Sequence, residues 1–252
     1  MKFVAAIALI IITVSNCRAQ VPRNIIVQFR RIVTLIKEDK KDELAKLVAY
    51  PLKRQNPVPD ITTAKGFTEY YPVLFDKAFK KKLQLYNDSD IFTHEGRYGL
   101  VGGKFDGEIW LGEDGKIEGI NTNTRAELAL KAKITQIIKR DIHPSVNQWT
   151  DNVLVCQSKN LLIRIDNTTK GLRYVAWIKG HSMEEKPDLI LYNGVQERQG
   201  TQGGWTWTFK SGSWVYEVDD VELCDTPGDC GYFLNLSVKG VNKERVRLTE
   251  TK

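Results

Sequence analysis

Histidine and cysteine are scarce in this chain, with 3 and 4 copies in 252 residues. His94, His143 and His181 are dispersed and no C-x-x-C pair occurs, so the ligand spacings of a structural zinc site are missing and no metal is expected. There is no G-x-S-x-G to set a serine on a strained elbow, no H-E-x-x-H, no Walker loop and no complete EF-hand loop. The chain thus shows no catalytic signature and implies no cofactor. It has no internal repeat and no low-complexity tract. A formal charge of +6, with basic residues scattered among 31 acidic ones, does not suggest a nucleic-acid partner. Lys80-Lys81-Lys82 is the one basic cluster, and it reads as the solvated face of a helix.

Long apolar runs are also scarce. The only one, Phe3 to Val14, follows Lys2 and precedes small and polar residues, the three-part layout of a secretory signal. A bilayer core needs roughly 20 apolar residues as helix, so the run is too short to span. Cleavage is expected after Ala19, which makes residues 1–19 a signal peptide and the product secreted or periplasmic, with no membrane span. The rival reading is a lipid anchor at Cys17, but Asn16 stands where that motif wants a small residue. Removal of Lys2 and Arg18 leaves a charge of +4 on about 233 residues, enough for two modest domains.

Cys156, Cys224 and Cys230 remain. In an oxidising compartment the stretch CDTPGDC, with its Pro-Gly turn, favours a Cys224–Cys230 disulfide adding about 2 kcal/mol. Cys156 is then buried on a strand, or paired with Cys224 instead; spacing leaves the connectivity open.

Ile25, Ile26, Phe29, Ile32, Val33 and Ile36 have helical spacing, and a second short helix is expected over Lys41–Val48. Pro51, Pro57 and Pro59 forbid helix and mark an extended crossing. Helical spacing resumes from Phe67 to Phe79, with Pro72 inside it to kink or divide the run. After Asp90 apolar and polar residues alternate through Phe105, Ile109, Leu111, Ile117 and Ile120, with a hairpin turn at Asp114-Gly115. Thr124 to Glu127 reads as a capping box that starts a helix ending near Arg140. Beyond Trp149 about eight short β-rich segments follow one another. The expected fold class is α+β. Residues 20–143 form helices on a curled antiparallel sheet, a cone of the nuclear-transport-factor-two type by order of elements. Residues 144–252 form a small antiparallel β-barrel-like domain.

The stretch GGWTWTFKSGSWVYEV, from Gly203 to Val218, is the densest in aromatics. With Ser211-Gly212 as the loop, Phe209 faces Trp214, Trp207 faces Tyr216 and Trp205 faces Val218, so all five aromatics share one face. That is a barrel's inner wall. A ligand platform arises only if Trp205 or Trp214 reaches an open end, beside the glycine-rich approach of Gly200, Gly203 and Gly204. The carboxylates Asp219, Asp220, Glu222, Asp225 and Asp229 read as a solvated acidic turn, because no calcium-ligand spacing is recognisable.

The segments LIRIDNTTKGLRYVAWIKGHSMEEKPDLILYNG and GTQGGWTWTFKSGSWVYEVDD resemble features of uncharacterised exported bacterial proteins: an R-I-D strand, an R-Y-x-x-W strand, a K-P-D-L strand and an aromatic hairpin, in that order. The same half is similar in size and strand number to the periplasmic inhibitors of C-type lysozymes. In those proteins S-G-S precedes W-x-K-G, whereas here Trp177 to Gly180 precedes Ser211 to Ser213, so no inhibitory residue transfers. The expectation is a non-enzymatic binding protein of the bacterial envelope, inhibitor-like or otherwise, with a protein or glycan ligand on a rim formed by Arg173, Trp177, Trp205 and Trp214. Two alternatives stand beside it: a hydrolytic enzyme gathering His94, Glu95 and Asp106 in the amino-terminal cone, and a structural envelope protein.

Overall fold

The computed structural model describes residues 21–94, 96–100, 107–200, 203–226 and 228–251. The chain forms α1 (Arg23–Lys37), α2 (Lys41–Ala45), α3 (Ala64–Leu74), α4 (Lys77–Leu83), β1 (Ile91–His94), β2 (Arg97–Leu100), β3 (Ile109–Leu111), β4 (Ile117–Ile120) and α5 (Arg125–Asp141). Eight strands follow: β5 (Asp151–Ser158), β6 (Leu161–Thr168), β7 (Gly171–Ile178), β8 (Leu189–Arg198), β9 (Trp205–Ser211), β10 (Trp214–Val221), β11 (Gly231–Val238) and β12 (Val241–Glu250). They group into two compact units, one holding the chain up to Ala49 with Lys77–Thr122, the other Tyr50–Asp76 with Asn123–Lys252. The change of composition at His143-Pro144 therefore falls inside the second unit, which takes α3 and α5 as well as the strands. Signal segment 1–19, Glu95, Phe105 and Asp106 lie outside the described residues.

In the first unit α1 buries Ile25, Phe29, Ile32, Leu35 and Ile36 along one stripe and points Lys37 at its carboxy-terminal end, where a cation meets the helix dipole favourably. Helix α2 stops at Ala45, short of the expected Val48, because Val48 is drawn into a parallel bridge with Ile117. The basic cluster on α4 is partly spent at home: Lys80 pairs with Asp39 and Lys82 with Glu108. Strands β1 to β4 form an antiparallel meander whose inner face buries Ile91, Leu100, Ile109, Leu111, Ile117 and Ile120. Across its other face runs the register row Phe92, Gly99, Trp110, Gly119. Phe92 and Trp110 meet edge to face at 5.3 Å. A Cβ at Gly99 would stand 2.5 Å from the Phe92 ring, so this glycine makes room for an aromatic.

In the second unit Pro72 lies in the last turn of α3; the helix ends at Leu74 and α4 begins at Lys77, so the proline divides the run. Thr63 caps α3 by accepting from the Gly66 amide at 3.1 Å. Thr124 likewise accepts from the Glu127 amide at 3.1 Å, which is half of a capping box. The other half is missing because the Glu127 carboxylate pairs with Arg54 instead, through bonds of 2.7 and 2.6 Å.

The eight strands β5 to β12 run as a closed antiparallel up-and-down barrel in chain order, with β12 returning to β5. Residues Ile163, Ile165, Tyr174, Trp207, Phe209, Val218, Leu234 and Leu248 alternate inward and fill the interior. Thr208, Glu217, Asn235 and Arg245 form a polar register row on the outside. Apolar inside and polar outside is the pattern of a barrel in water, the inverse of a lipid-facing wall. The hairpin register differs from the expected one: Ser211 pairs with Trp214, leaving Gly212-Ser213 as the loop, so Phe209 faces Tyr216, Trp207 faces Val218 and Trp205 faces Asp220. A shift of two residues preserves the side-chain alternation, so the aromatics share one face as expected, and that face is the barrel interior. Among the described residues no helix is long and apolar enough to cross a membrane.

Phe209 is 1% exposed between Tyr174 and the opposite wall, with a ring separation of 5.4 Å to Tyr174. Phe209→Ala is expected to cost about 3–5 kcal/mol of unfolding free energy, measured by denaturant titration, from lost transfer energy plus a cavity.

Candidate functional site

Alternation along β9, β10 and β11 brings Trp205, Asp220 and Tyr232 into one inward-facing row at one end of the barrel. Glu250, the last residue of β12, faces the same end through its pairing with Cys156. The approach to Trp205 is held tightly: Gly204 has φ of +74°, and a Cβ there would stand 1.9 Å from the Asp220 carbonyl oxygen. The segment from Tyr50 to Thr62 lies at this mouth, tied back on itself by a bridge between Leu52 and Ile61. Lys53 on this strap reaches Glu250 at 3.0 Å and Asp60 at 3.2 Å. Asn56 donates through Nδ2 to the Val153 carbonyl at 3.0 Å.

Between strap and barrel lies a cavity of about 600 Å³, lined among others by Lys53, Asn56, Gln196, Trp205, Glu222, Tyr232 and Glu250. Trp205 is half-buried, with the Arg198 guanidinium 5.4 Å from its ring. Burial, reinforced by Glu222 and Glu250, raises the Asp220 carboxyl to about 6, against the opposing influence of Lys53 and a hydrogen bond from Tyr232. Burial likewise pushes up the Tyr232 phenol and the Cys156 thiol. Cys156 is buried and stays a thiol, so it behaves as a small apolar core residue with no nucleophilic role. Cys224 and Cys230 form the expected disulfide, with Cα atoms 5.4 Å apart, and a disulfide fits an oxidising compartment.

The four rim residues expected from sequence are not brought together. Trp177 is fully buried on the outer side of β7, among Ile142, Val146 and Val175, and donates through Nε1 to the Glu185 carbonyl at 2.8 Å. Arg173, 2% exposed, reaches Asp166 at 2.8 Å and the carbonyls of Val146 and Gln148 at 2.6 and 3.2 Å. Both therefore clamp the segment after α5 onto the barrel wall, which leaves them no surface to offer a ligand. Trp214, 41% exposed, stands beside the Gly212-Ser213 turn, the length of β9 from Trp205, or roughly 20 Å. Only Trp205 lies in the cavity.

Of the acidic residues, Asp219 and Asp220 face opposite sides of β10. Asp219 points out, accepting from Thr206 at 2.7 Å, Gln199 at 3.0 Å and Asn235 at 2.6 Å, which latches Gln199 to the wall. Asp219, Asp225, Asp229 and Arg245 line a larger groove of about 1130 Å³ outside the barrel. Among the described residues no group of three or more histidine, cysteine or carboxylate side chains is placed to hold a metal ion. In the first unit His94 ends β1, exposed and 6.3 Å from Trp110.

Lys53, Asn56, Tyr232 and Glu250 had no signal of their own in the sequence. Tyr232 would have followed from the β10–β11 register, but Lys53 and Glu250 are 197 positions apart and meet only because the barrel closes. Comparison with family models, curated proteins and solved structures finds no match for this chain.

Arg164, Asp166 and Arg173 form a sealed ionic triad, with side-chain exposures of 1%, 0% and 3%. Asn152 adds a bond to Asp166 at 3.0 Å. Replacing Asp166 by Asn leaves two arginines facing each other without a counter-charge. The expected loss is about 3–5 kcal/mol in equilibrium unfolding, because a half-removed buried pair costs more than an absent one.

Proposed function

We propose that the chain is a non-enzymatic binding protein of the bacterial envelope, exported by segment 1–19, and that it holds the end of an oligosaccharide in the barrel mouth. One observation carries this reading: the cavity of about 600 Å³ sets an indole and a phenol beside amides and carboxylates. Its size lies within the range of roughly 300–1,000 Å³ for small-molecule sites. Trp205 offers a flat apolar surface to the C–H face of a sugar ring. Glu222, Asn56 and Gln196 offer polar groups to its hydroxyls. A barrel wall that is already packed gives such a site a rigid base, which lowers the entropy lost on binding.

The inhibitor-like alternative, a protein ligand, has a different observation in its favour. At the opposite end Trp214, Ile178 and Val241 are 41%, 40% and 55% exposed, and apolar side chains on a rim suit a macromolecular contact. For the amino-terminal unit we retain the cone of nuclear-transport-factor-two type. Three helices preceding an antiparallel meander support it.

The two ends of the barrel make opposite predictions. Titration calorimetry of the exported form with peptidoglycan fragments and with β-1,4-linked oligomers of glucosamine and N-acetylglucosamine is expected to identify a binder. Trp205→Ala should weaken that binder by about tenfold or more, the worth of one aromatic stack, while Trp214→Ala should leave it unchanged. Equal affinity in Trp205→Ala and the unaltered protein rejects the mouth as the site. Loss in Trp214→Ala alone moves the function to the other rim.

A further inference from the structure

Resting on the reading of the barrel mouth as a ligand site, we propose that the sugar it takes carries a protonated primary amine, which docks on Glu222 beside Trp205, next to Asp220.

The carboxylates and the cation of the mouth are unequally provided for. Lys53, the cation set among them, is already shared between Glu250 and Asp60. Lys131, also on the cavity wall, is held by Asp151 at 3.0 Å. Arg54 is taken up by the buried Glu127. Among the described residues Asp220 and Glu222 form no ion pair, although they sit at the same strand end and the Glu222 charge makes Asp220 costlier to ionise. A neutral sugar would leave that repulsion in place. A cation entering between Asp220 and Glu222 would relieve it, in a cavity where partial burial strengthens the attraction.

A second, independent observation points the same way. Asn56 is nine-tenths buried and lines this cavity, and its Oδ1 has no hydrogen-bond partner among the described residues. A buried amide oxygen left in that state costs on the order of 1–3 kcal/mol, and the cost is recovered when a donor arrives. The unused capacity of the strap and of β10 is therefore acceptor capacity. An ammonium is all donor, with three N–H groups. The hydroxylated frame around it supplies further donors, and Trp205 supplies the apolar face. A free amino sugar combines these parts, whereas its N-acetylated form has lost the charge and gained an acceptor.

The titration sign follows. The groups facing the Asp220 carboxyl are Glu222 just past the end of its own strand, Glu250 from β12, Tyr232 from β11, Cys156 from β5 and Lys53 from the strap. With Asp220 titrating at about 6 in the empty site, protons compete with the amine as pH falls below that value. The sugar amine, weakened by the oxygens around it, is only partly protonated at about pH 7 and gains protons as pH falls, which offsets part of this loss.

The test compares the β-1,4-linked glucosamine trimer with its fully N-acetylated counterpart by calorimetry, at about pH 7 and about pH 5. The unaltered exported protein is expected to prefer the free amine by at least about tenfold at the higher pH, and to lose about threefold or more of its affinity for it at the lower. Glu222→Gln, on an exposed position that does not bear on folding, should erase most of the preference. Asp220→Asn should erase it and also flatten the pH dependence, and a melting curve checks that this variant folds. If both trimers bind equally and Trp205→Ala still abolishes binding, the sugar site stands and amine recognition is overturned. If neither trimer binds at either pH, the mouth as a sugar site fails, and this inference with it.

Discussion

The second unit depends on the closure of β12 onto β5. The seam is short: Thr249 pairs with Gln157 and Glu250 with Cys156, and the Thr251 amide donates to the Val155 carbonyl at 2.8 Å. Closure removes the two open edges that a meander of eight strands would otherwise expose. It also seals the interior, so that Tyr174, Trp207 and Phe209 lie within a ring of strands and not on the face of an open sheet. The last turns of β12 deliver Glu250 to the mouth, and the strap reaches across to it through Lys53.

Charge is buried in this barrel in two contrasting ways. On the outer side of β6 and β7, Asp166 is fully enclosed but neutralised by Arg164 and Arg173 and bonded by Asn152, while Trp149 covers the Arg164 guanidinium at 4.6 Å. That cluster joins wall to covering segment and presents nothing to a ligand. At the mouth, Asp220 is partly enclosed and crowded by Glu222 and Glu250, with Lys53 as the nearby cation. A neutralised network is a structural joint, while an under-neutralised one beside a cavity is where a ligand gains free energy by entering.

How much was legible in the sequence depends on how local the cause is. The α1 stripe, the division of a helical run at Pro72 and the Asp114-Gly115 turn follow from near neighbours and stand in the structure. The shared face of the hairpin aromatics survives a wrong loop placement, because alternation has period 2 and the loop moved by one position in each strand. The capping box at Thr124 formed only in part, since Arg54, 73 positions away from Glu127, competes for the glutamate. Trp177 and Arg173 look like ligand residues in a list of strand sequences. Only the segment at 142–150, lying over β7, makes them interior.

By itself the sequence determined the kinds of element and the shared face of the hairpin aromatics, and it favoured the Cys224–Cys230 bond, because periodicity and short separations act within a few residues. The tertiary structure alone decided which aromatic faces a cavity, and that Asp219 latches a loop while Asp220 crowds Glu222. It also set Lys53 and Asn56 beside Glu250. Those outcomes depend on chain closure and strap placement, where residues nearly two hundred positions apart come within hydrogen-bond distance, and no local pattern encodes which of them will meet.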